Sequence, residues 1–311
     1  MDPLRHTRAA LVATALVVAG LASPEHAVHP ASEQGGSCIQ GSVGAGARGA
    51  AGFRSRDHRD VTARQQQRIE ARTRRILAAD GTSRRSAATD FQGAEIPVYV
   101  HVMLDKSGNG DVTDQQIEDQ IAVLNDNYAG KESSEAADTG FTFTLAGVDR
   151  YNNDAWHFDK QTNTYRTQTR QGGKDALNIW LVDFAYLGIA TFPWDYARHP
   201  SIDGVRVNYG SLPDGPIQNF NLGGTATHEV GHWLGLYHPF QGGCTPPGDG
   251  VADTPAEAGP AFGCPEGQDT CPAPGEDPVH NFMDYSDDSC YNQFTPGQAA
   301  RMAAMWTAYR G

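Results

Sequence analysis

Lysine and arginine are scarce after residue 85, and no long apolar run occurs after residue 22. Residues 86–311 contain 11 Lys and Arg against 30 Asp and Glu, a net charge of 11 − 30 = −19. Such acidity disfavours nucleic acid and membranes as partners, although plain solubility of an exported protein explains the charge as well. Because no long apolar run follows residue 22, the sequence predicts no membrane-spanning helix after that residue.

Cysteine is also scarce, with five residues in 311, and no Cys-x-x-Cys pair occurs. That absence disfavours a structural zinc site built from cysteines. Cys38 stands alone near the N-terminus, whereas the other four cysteines lie within residues 244–290. In an exported chain these four predict two disulfides, for which three pairings are possible.

The N-terminus has the pattern of a signal peptide. Arg5 and Arg8 precede an apolar run over residues 9–22, near the end of which Gly20 and Ala22 offer a small-residue cleavage site. The run is too short for a confident membrane span. The sequence therefore predicts a signal peptide over residues 1–22 and a secreted, extracellular protein.

One stretch decides the chemistry, because His228, Glu229, His232, Gly235 and His238 form the pattern His-Glu-x-x-His-x-x-Gly-x-x-His. Histidines four residues apart share one face of a helix, so both imidazoles can reach one zinc ion. Glycine permits a sharp turn at the helix end, which brings the third histidine back as a ligand. Three protein ligands leave a fourth position open, as in catalytic zinc sites. The alternative is a buried amphipathic helix with hydrogen-bonded histidines.

Periodicity and capping patterns predict the surrounding elements. We expect a helix within residues 60–80, an exposed linker over 81–86, and a helix that Thr113 and Gln116 begin with a capping box. Residues 105–111 resemble a calcium loop, but Gln116 stands where such a loop needs Glu, so a turn is predicted there. Strands are predicted over residues 96–104, 141–148, 177–182 and 204–209. The last strand is expected to be the sheet edge along the cleft.

The zinc pattern is the metzincin metalloprotease signature. Within that group, the stretch from about residue 95 to residue 301 resembles the pappalysin family in its bacterial and fungal secreted branch. The segments that carry the resemblance, besides the zinc pattern, are residues 188–194, 203–205, 221–225, 248–255 and 281–285. The resemblance implies endopeptidase activity on proteins. It also implies an α+β, metzincin-type zincin domain, in which a mixed twisted sheet and an active-site helix lie above an irregular, disulfide-braced lower subdomain.

The resemblance assigns roles to two residues after the zinc pattern. Met283 corresponds to the methionine that lies beneath the zinc ligands in metzincins, although ordinary core packing is its alternative. Tyr285 is placed like the tyrosine that several metzincin families aim at the metal, where it would hydrogen-bond the tetrahedral intermediate.

Other implications of the resemblance concern disulfides and a second ion. The family favours the crossed pairs Cys244–Cys271 and Cys264–Cys290. Relatives bind calcium in this part of the chain, so Asp249 and Asp253 are candidate calcium ligands. Solvated loop carboxylates are the alternative.

The segment before the regular domain is predicted to keep the protein latent. Residues 23–89 are expected to be a pro-segment that is removed by a cut between Arg84 and Phe91, leaving a catalytic domain over residues 90–311. Its basic residues would dock it on the acidic domain. Cys38 is a candidate latency switch, because a thiolate can occupy the open zinc position, although no flanking motif supports this role.

Asp287 and Asp288 are the candidates for the pocket that receives the substrate residue after the cut. Either carboxylate would favour Arg or Lys there, and a solvated turn is the alternative. Ser289 is uncharged, whereas basic-specific relatives can have an acid at that place, so basic preference stays open.

The sequence as a whole predicts a secreted zinc-dependent endopeptidase made as a latent precursor. Glu229 is the predicted general base for a zinc-activated water. One catalytic zinc is the expected cofactor, with calcium as a candidate structural ion, and the expected partners are protein or peptide substrates and the pro-segment. A catalytically silent secreted zinc-binding module and a zinc hydrolase of small substrates are the alternatives. Glu229 disfavours the silent module, since a pure binder has no use for a general base.

Overall fold

The computed structural model describes residues 61–311 and the backbone of one short upstream strand. The predicted signal peptide and Cys38 lie outside the described residues. Within the described part, no helix combines the length and apolar character needed to cross a membrane. The helices are α1 (Ala63–Ala79), α2 (Arg84–Thr89), α3 (Asp114–Tyr128), α4 (Asp154–His157), α5 (Thr162–Thr169), α6 (Gly224–Trp233) and α7 (Pro296–Tyr309). The strands are β1 (Ala47–Gly49), β2 (Ala94–Leu104), β3 (Phe141–Asn152), β4 (Leu177–Val182), β5 (Tyr186–Ala190) and β6 (Val205–Asn208).

The described strands form one mixed sheet in the order β1-β5-β6-β4-β2-β3. β2 pairs in parallel with β3 and β4, and β4 pairs in parallel with β6. β5 is antiparallel to β6, and β1 is antiparallel to β5. All six residues of β4 are buried, which is typical of a central parallel strand. The mixed sheet with its helices confirms the predicted α+β class.

The strand over residues 204–209 exists as β6, but its predicted position at the sheet edge is wrong. β6 lies between β4 and β5, and its four residues are buried. Among residues 61–311, the edge strand next to β6 is β5, which packs against Glu229 of α6. β5 escaped prediction because its sequence, Tyr-Leu-Gly-Ile-Ala, lacks polar–apolar alternation and contains a glycine.

The capping box predicted at Thr113 is present at the start of α3. In α3, the hydroxyl of Thr113 accepts from the backbone N–H of Gln116, whose side chain accepts from Thr113 in return. The loop over residues 105–111 is the predicted turn, because Asp105 Oδ1 accepts from the backbone N–H groups of Ser107 and Asn109, at 2.8 Å each. Those bonds commit the carboxylate to its own turn.

The predicted linker over residues 81–86 is wrong in its second half, since residues 84–86 begin α2. Ser83 caps this helix by accepting from the N–H of Ser86 at 3.1 Å. Ala87 then packs with Leu77 of α1 and Ala304 of α7 in a small buried cluster. Tertiary packing therefore stabilises a short helix that its arginine- and serine-rich sequence does not indicate.

Helix α6 runs through the centre of the protein, with all ten of its residues buried. Side chains of α3 hold it in place through hydrogen bonds. Tyr128 donates from its hydroxyl to the carbonyl of Thr227 at 3.1 Å, and Asn127 donates to the Thr227 hydroxyl at 2.8 Å. The side-chain amide of Gln120 donates to the carbonyl of Gly223 at 3.1 Å. The helix that carries the motif is thus a rigid part of the core.

Candidate metal centre and active site

The three predicted ligands converge at one point. Nε2 of His238 lies 3.3 Å from Nε2 of His228 and 3.0 Å from Nε2 of His232. His228 and His232 are four residues apart on α6, and His238 returns to them after the turn that ends the helix. All three are buried, with exposed fractions of 0 %, 1 % and 3 %. This is the arrangement that the spacing predicts.

Hydrogen bonds at the opposite ring nitrogens make this cluster fit a cation. His228 Nδ1 lies 2.7 Å from the carbonyl of Phe282, and His232 Nδ1 lies 2.9 Å from the carbonyl of Leu236. A carbonyl only accepts, so each Nδ1 carries the proton and each neutral ring turns an Nε2 lone pair to the centre. Burial lowers the pKa of His232 to about 4, which keeps that ring neutral at pH 7. Closely spaced lone pairs in a dry interior are the donor set that zinc requires.

Gly235 makes the return of the third ligand possible. Its φ of 102° lies in the left-handed region, where a side chain would be strained. A Cβ there would also lie 2.7 Å from Cγ of Met305 and 3.3 Å from Cγ of Pro193. Gly235 has the positive φ that the predicted turn needs, and the close packing adds a second reason for glycine.

Met283 lies beneath the zinc helix as the sequence predicts. A Cβ on Gly231 would lie 2.4 Å from the sulfur of Met283, so this approach requires glycine in the middle of the helix. Asn281 shapes the turn before the methionine by accepting from the Met283 N–H at 3.0 Å, and its amide pairs with that of Gln298. The turn also supplies the Phe282 carbonyl that orients His228. Gly231 was not predicted, because nothing in the motif requires a small residue at that place.

Glu229 follows the first histidine on α6, and Tyr285 lies against the ligand cluster. Glu229 is fully buried next to β5, since a Cβ on Gly188 would lie 2.4 Å from Glu229 Cγ. The ring of Tyr285 lies 5.0 Å from that of His238 and 5.7 Å from that of His228, between centroids. A phenol therefore lies beside the candidate metal centre, and a buried carboxylate lies on the helix that supplies two of its ligands, as a hydrolytic site requires. Gly188 is a further site residue that spacing could not reveal.

Asp288 has a structural task that the sequence did not indicate. Its carboxylate oxygen Oδ2 accepts from the backbone N–H of Leu222 at 2.9 Å and from that of Gly224 at 3.2 Å. It is 7 % exposed and so lies buried at the N-terminus of α6, where a negative charge is favoured by the helix dipole. Asp287 is half-buried, and its backbone N–H donates to the carbonyl of Gly263.

The lower part of the chain is braced by the two predicted crossed disulfides. Cys244 pairs with Cys271 and Cys264 pairs with Cys290, with Cα–Cα distances of 5.4 and 5.5 Å. The Cys264–Cys290 bond joins the segment after the methionine turn to the loop that carries Phe262. The ring of Phe262 is 56 % exposed and lies near that of Tyr285. The Cys264–Cys290 bridge thus holds the loop of Phe262 beside Tyr285.

The candidate calcium ligands lie in different surroundings. Asp249 is 4 % exposed and accepts from the N–H of Val251 at 3.0 Å, while burial raises its pKa to about 7. Asp253 is exposed and lies at the N-terminus of α7, where it accepts from the Thr295 hydroxyl and the Gly297 N–H at 2.8 Å each. Capping therefore occupies Asp253 in the described contacts.

Glu257 was not a predicted site residue, yet it is a buried acid in this region. It is fully buried, and its carboxylate lies close to the backbone N–H of Ala261. Burial, followed by the charges of Asp284 and Asp277, raises the pKa of Glu257 to about 9. A group in this state either holds a proton or faces a cation. Sequence alone gave no signal, because an isolated glutamate in a loop is ordinary.

A family comparison agrees with this site. The family model described as pregnancy-associated plasma protein-A, a peptidase family, matches residues 148–307, which are 160 of the 311 residues. The chain belongs to the pappalysin family of zinc metalloendopeptidases. The extracellular metalloprotease of Verticillium alfalfae is 47 % identical over 226 residues, covering 69 % of this chain and 76 % of that protein. That of Pyricularia oryzae is 44 % identical over 242 residues, covering 75 % and 81 %.

Solved structures of mirolysin have the same fold. A promirolysin variant of Tannerella forsythia is 30 % identical with a TM-score of 0.66, covering 79 % of this chain and 89 % of that chain. Mature mirolysin of the same organism in complex with a cleaved peptide is 32 % identical with a TM-score of 0.59, covering 68 % and 91 %. The metzincin-type architecture predicted from the zinc motif is thereby confirmed.

Proposed function

We propose that this pappalysin is an exported enzyme that uses one zinc ion, held by His228, His232 and His238, to cleave peptide bonds within proteins. The observation that carries the proposal is the convergence of three buried Nε2 atoms, two of them from the helix that also carries the buried Glu229. Export is supported by relatives that are named extracellular metalloproteases. A cleaved peptide bound to mature mirolysin supports peptides as the substrate class.

The direct experiment is digestion of casein by the secreted, processed protein, with fragments identified by mass spectrometry. Internal cuts that disappear with a zinc chelator and return with added zinc are expected. Intact casein after incubation with the zinc-loaded protein would favour the silent zinc-binding module. Cleavage limited to dipeptides would favour a hydrolase of small substrates.

The mechanism assigns each group a task that its position supports. Zinc, when bound, supplies a Lewis acid that polarises the scissile carbonyl and acidifies the attacking water. Glu229 accepts the proton of that water and passes it to the leaving amine. The dry surroundings of Glu229 strengthen its interaction with charge that develops nearby. Tyr285 donates its hydroxyl proton in a hydrogen bond to the carbonyl oxygen as negative charge develops there.

Replacement of Tyr285 by phenylalanine is expected to lower kcat by about 10²-fold while KM stays within a few-fold. The reason is that the hydroxyl acts on charge present only in the transition state, whereas the ring keeps its contacts with His228 and His238. Steady-state kinetics on a short peptide substrate measure both constants. A rise in KM alone would mean that Tyr285 binds substrate without stabilising the transition state.

Latency is part of the proposal. The backbone of Ala47–Gly49 pairs antiparallel with β5, with Arg48 opposite Gly188, the residue that packs on Glu229. Upstream chain thus runs along the strand where an extended substrate would pair, which supports a blocking pro-segment. The promirolysin relative supports a precursor form as well.

Cys38→Ala is expected to give a precursor that cleaves peptides before processing, because no thiolate would then fill the open zinc position. The activity of the unprocessed variant, prepared with Ser37→Ala as a control, measures this. A Cys38→Ala precursor as inactive as the wild type would refute the cysteine switch. Latency would then rest on the pairing of upstream chain with β5.

Calcium is proposed as a structural ion near Glu257. A cation there would remove the need for a proton on that carboxylate, whose pKa is raised to about 9 by burial and by Asp284 and Asp277. Calcium is therefore expected to raise the Tm of the zinc-loaded enzyme, and Glu257→Gln should abolish that rise. Asp249→Asn and Asp253→Asn, measured beside it, test the two ligands predicted from sequence. An unchanged Tm with calcium would exclude the ion.

Substrate preference after the cut is proposed to depend on Asp287. The carboxylate of Asp288 is engaged with the start of α6, which leaves its half-buried neighbour as the acid able to meet a basic side chain. The cut sites in casein decide this point. A preference for Arg or Lys that Asp287→Asn removes would support the assignment, and cuts unrelated to basic residues would oppose it.

A further inference from the structure

Helix α1 is joined to the zinc-ligand turn by buried charged groups. Arg301 of α7 donates from Nε to the carbonyl of Gly235 at 2.8 Å and from Nη2 to Oε1 of Glu70 on α1, also at 2.8 Å. Arg84 of α2 donates to the other carboxylate oxygen of Glu70 at 2.6 Å. The side chain of Arg301 is 1 % exposed and that of Glu70 is 15 % exposed. One guanidinium therefore connects α1 to the glycine that ends the zinc helix.

The turn that Arg301 holds controls two zinc ligands. Leu236, the residue after Gly235, supplies the carbonyl that orients His232. Tyr237 follows, and the guanidinium carbon of Arg301 lies 4.6 Å from the centre of its ring. His238 comes next. A shift of Arg301 would thus change the carbonyl behind one ligand and the approach of another.

Other contacts of α1 reach the same region independently. Arg72 donates to the carbonyl of Trp194 at 3.0 Å, and the Trp194 ring lies 5.6 Å from that of Tyr237. Gln66, which is buried, donates to the carbonyl of Gly248 at 2.9 Å, in the loop after the third ligand. The helix therefore supports the segment on both sides of His238.

We propose that Glu70 is a positioning residue for the zinc site, acting through Arg301 on the Gly235 turn, and that α1 and α2 consequently belong to the active enzyme. This inference rests on the proposed zinc-endopeptidase function. Without Glu70 the buried guanidinium loses its ion-pair partner and is expected to move toward water, which would release the Gly235 carbonyl. A maturation cut upstream of residue 61 keeps both helices. The cut predicted between Arg84 and Phe91 is compatible only if α1 stays bound afterwards.

The test compares Glu70→Ala, Glu70→Gln and a control, Arg75→Ala, in the processed, zinc-loaded enzyme. Arg75 is exposed on the same helix and bonds only within it in the described contacts. We measure zinc release into excess chromophoric chelator, together with kcat and KM on a peptide. Glu70→Ala is expected to release zinc about 10-fold to 100-fold faster and to lose about tenfold in kcat at unchanged KM. Glu70→Gln, which keeps an acceptor oxygen, should recover part of both losses, and Arg75→Ala should match the wild type.

Two results would overturn the proposal. One is wild-type zinc release and kcat in Glu70→Ala. The other is a fully active processed enzyme that native mass measurement shows to lack residues 61–89. If Glu70→Ala does not fold, Glu70→Gln and Arg301→Lys replace it, since lysine keeps the charge but cannot bridge both partners. If the proposed endopeptidase function is wrong, the wild type will cleave no peptide. The rates of zinc release from the wild type and the Glu70 variants can still be compared in that case.

Discussion

Glu229→Gln is expected to lower kcat for peptide hydrolysis by about 10²-fold to 10⁴-fold while one zinc stays bound per chain. Glutamine has nearly the shape of glutamate, so the packing against Gly188 can persist, but an amide cannot accept the proton of the attacking water. Steady-state kinetics and metal analysis on the same purified sample measure both parts.

The matched control is Glu118→Gln on the exposed face of α3, which should behave as the wild type. Loss of zinc from the Glu229 variant would mean that the carboxylate supports the site structurally. Full zinc with normal kcat would show that another group is the base.

Asp203→Asn is expected to lower the free energy of unfolding by about 3–5 kcal/mol, because it leaves a buried guanidinium without its counter-charge. Asp203 is 1 % exposed and accepts from Arg310 with both oxygens, at 2.9 and 3.0 Å. It also accepts from the Trp233 indole at 3.0 Å and the Thr191 hydroxyl at 2.9 Å. Arg310 in turn donates to the Trp233 carbonyl at the end of the zinc helix, at 3.1 Å.

Urea unfolding in the inactive Glu229→Gln background, at fixed zinc concentration, measures this without self-digestion. Asp175→Asn, on an exposed aspartate, serves as the control and should change the free energy of unfolding by less than about 0.5 kcal/mol. A loss no larger for Asp203→Asn than for the control would mean that the network contributes nothing net to stability.

The metal site could be predicted because a helix and a glycine turn translate spacing directly into geometry. His228 and His232 needed only the helical repeat, and Gly235 needed only its positive φ. The disulfide pairing came from family resemblance, since cysteine positions alone leave three choices. Met283 could be placed beneath the helix, but the glycine that admits its sulfur could not, because that need arises from contact between distant segments.

What sequence could not reveal are contacts whose partners are far apart in the chain. Asp288 appeared as a free pocket acid, yet the N-terminus of a helix 64 residues earlier engages it. Glu70 lies in a segment that the sequence predicts to be removed. Its partner Arg301 is 231 residues away, so no local pattern indicates the contact. β5 was hidden because packing against Glu229, not alternation of residues, decides its composition. Local patterns give elements and motifs, whereas the roles of buried charges follow from the assembled fold.

The decisive measurement is a titration of the zinc-free, processed enzyme with zinc, during which peptide hydrolysis is followed. We expect no hydrolysis without metal, a linear rise with added zinc, and a plateau at one zinc per chain. Hydrolysis that persists in the zinc-free protein, or a protein that binds one zinc and cleaves no peptide bond, would contradict it.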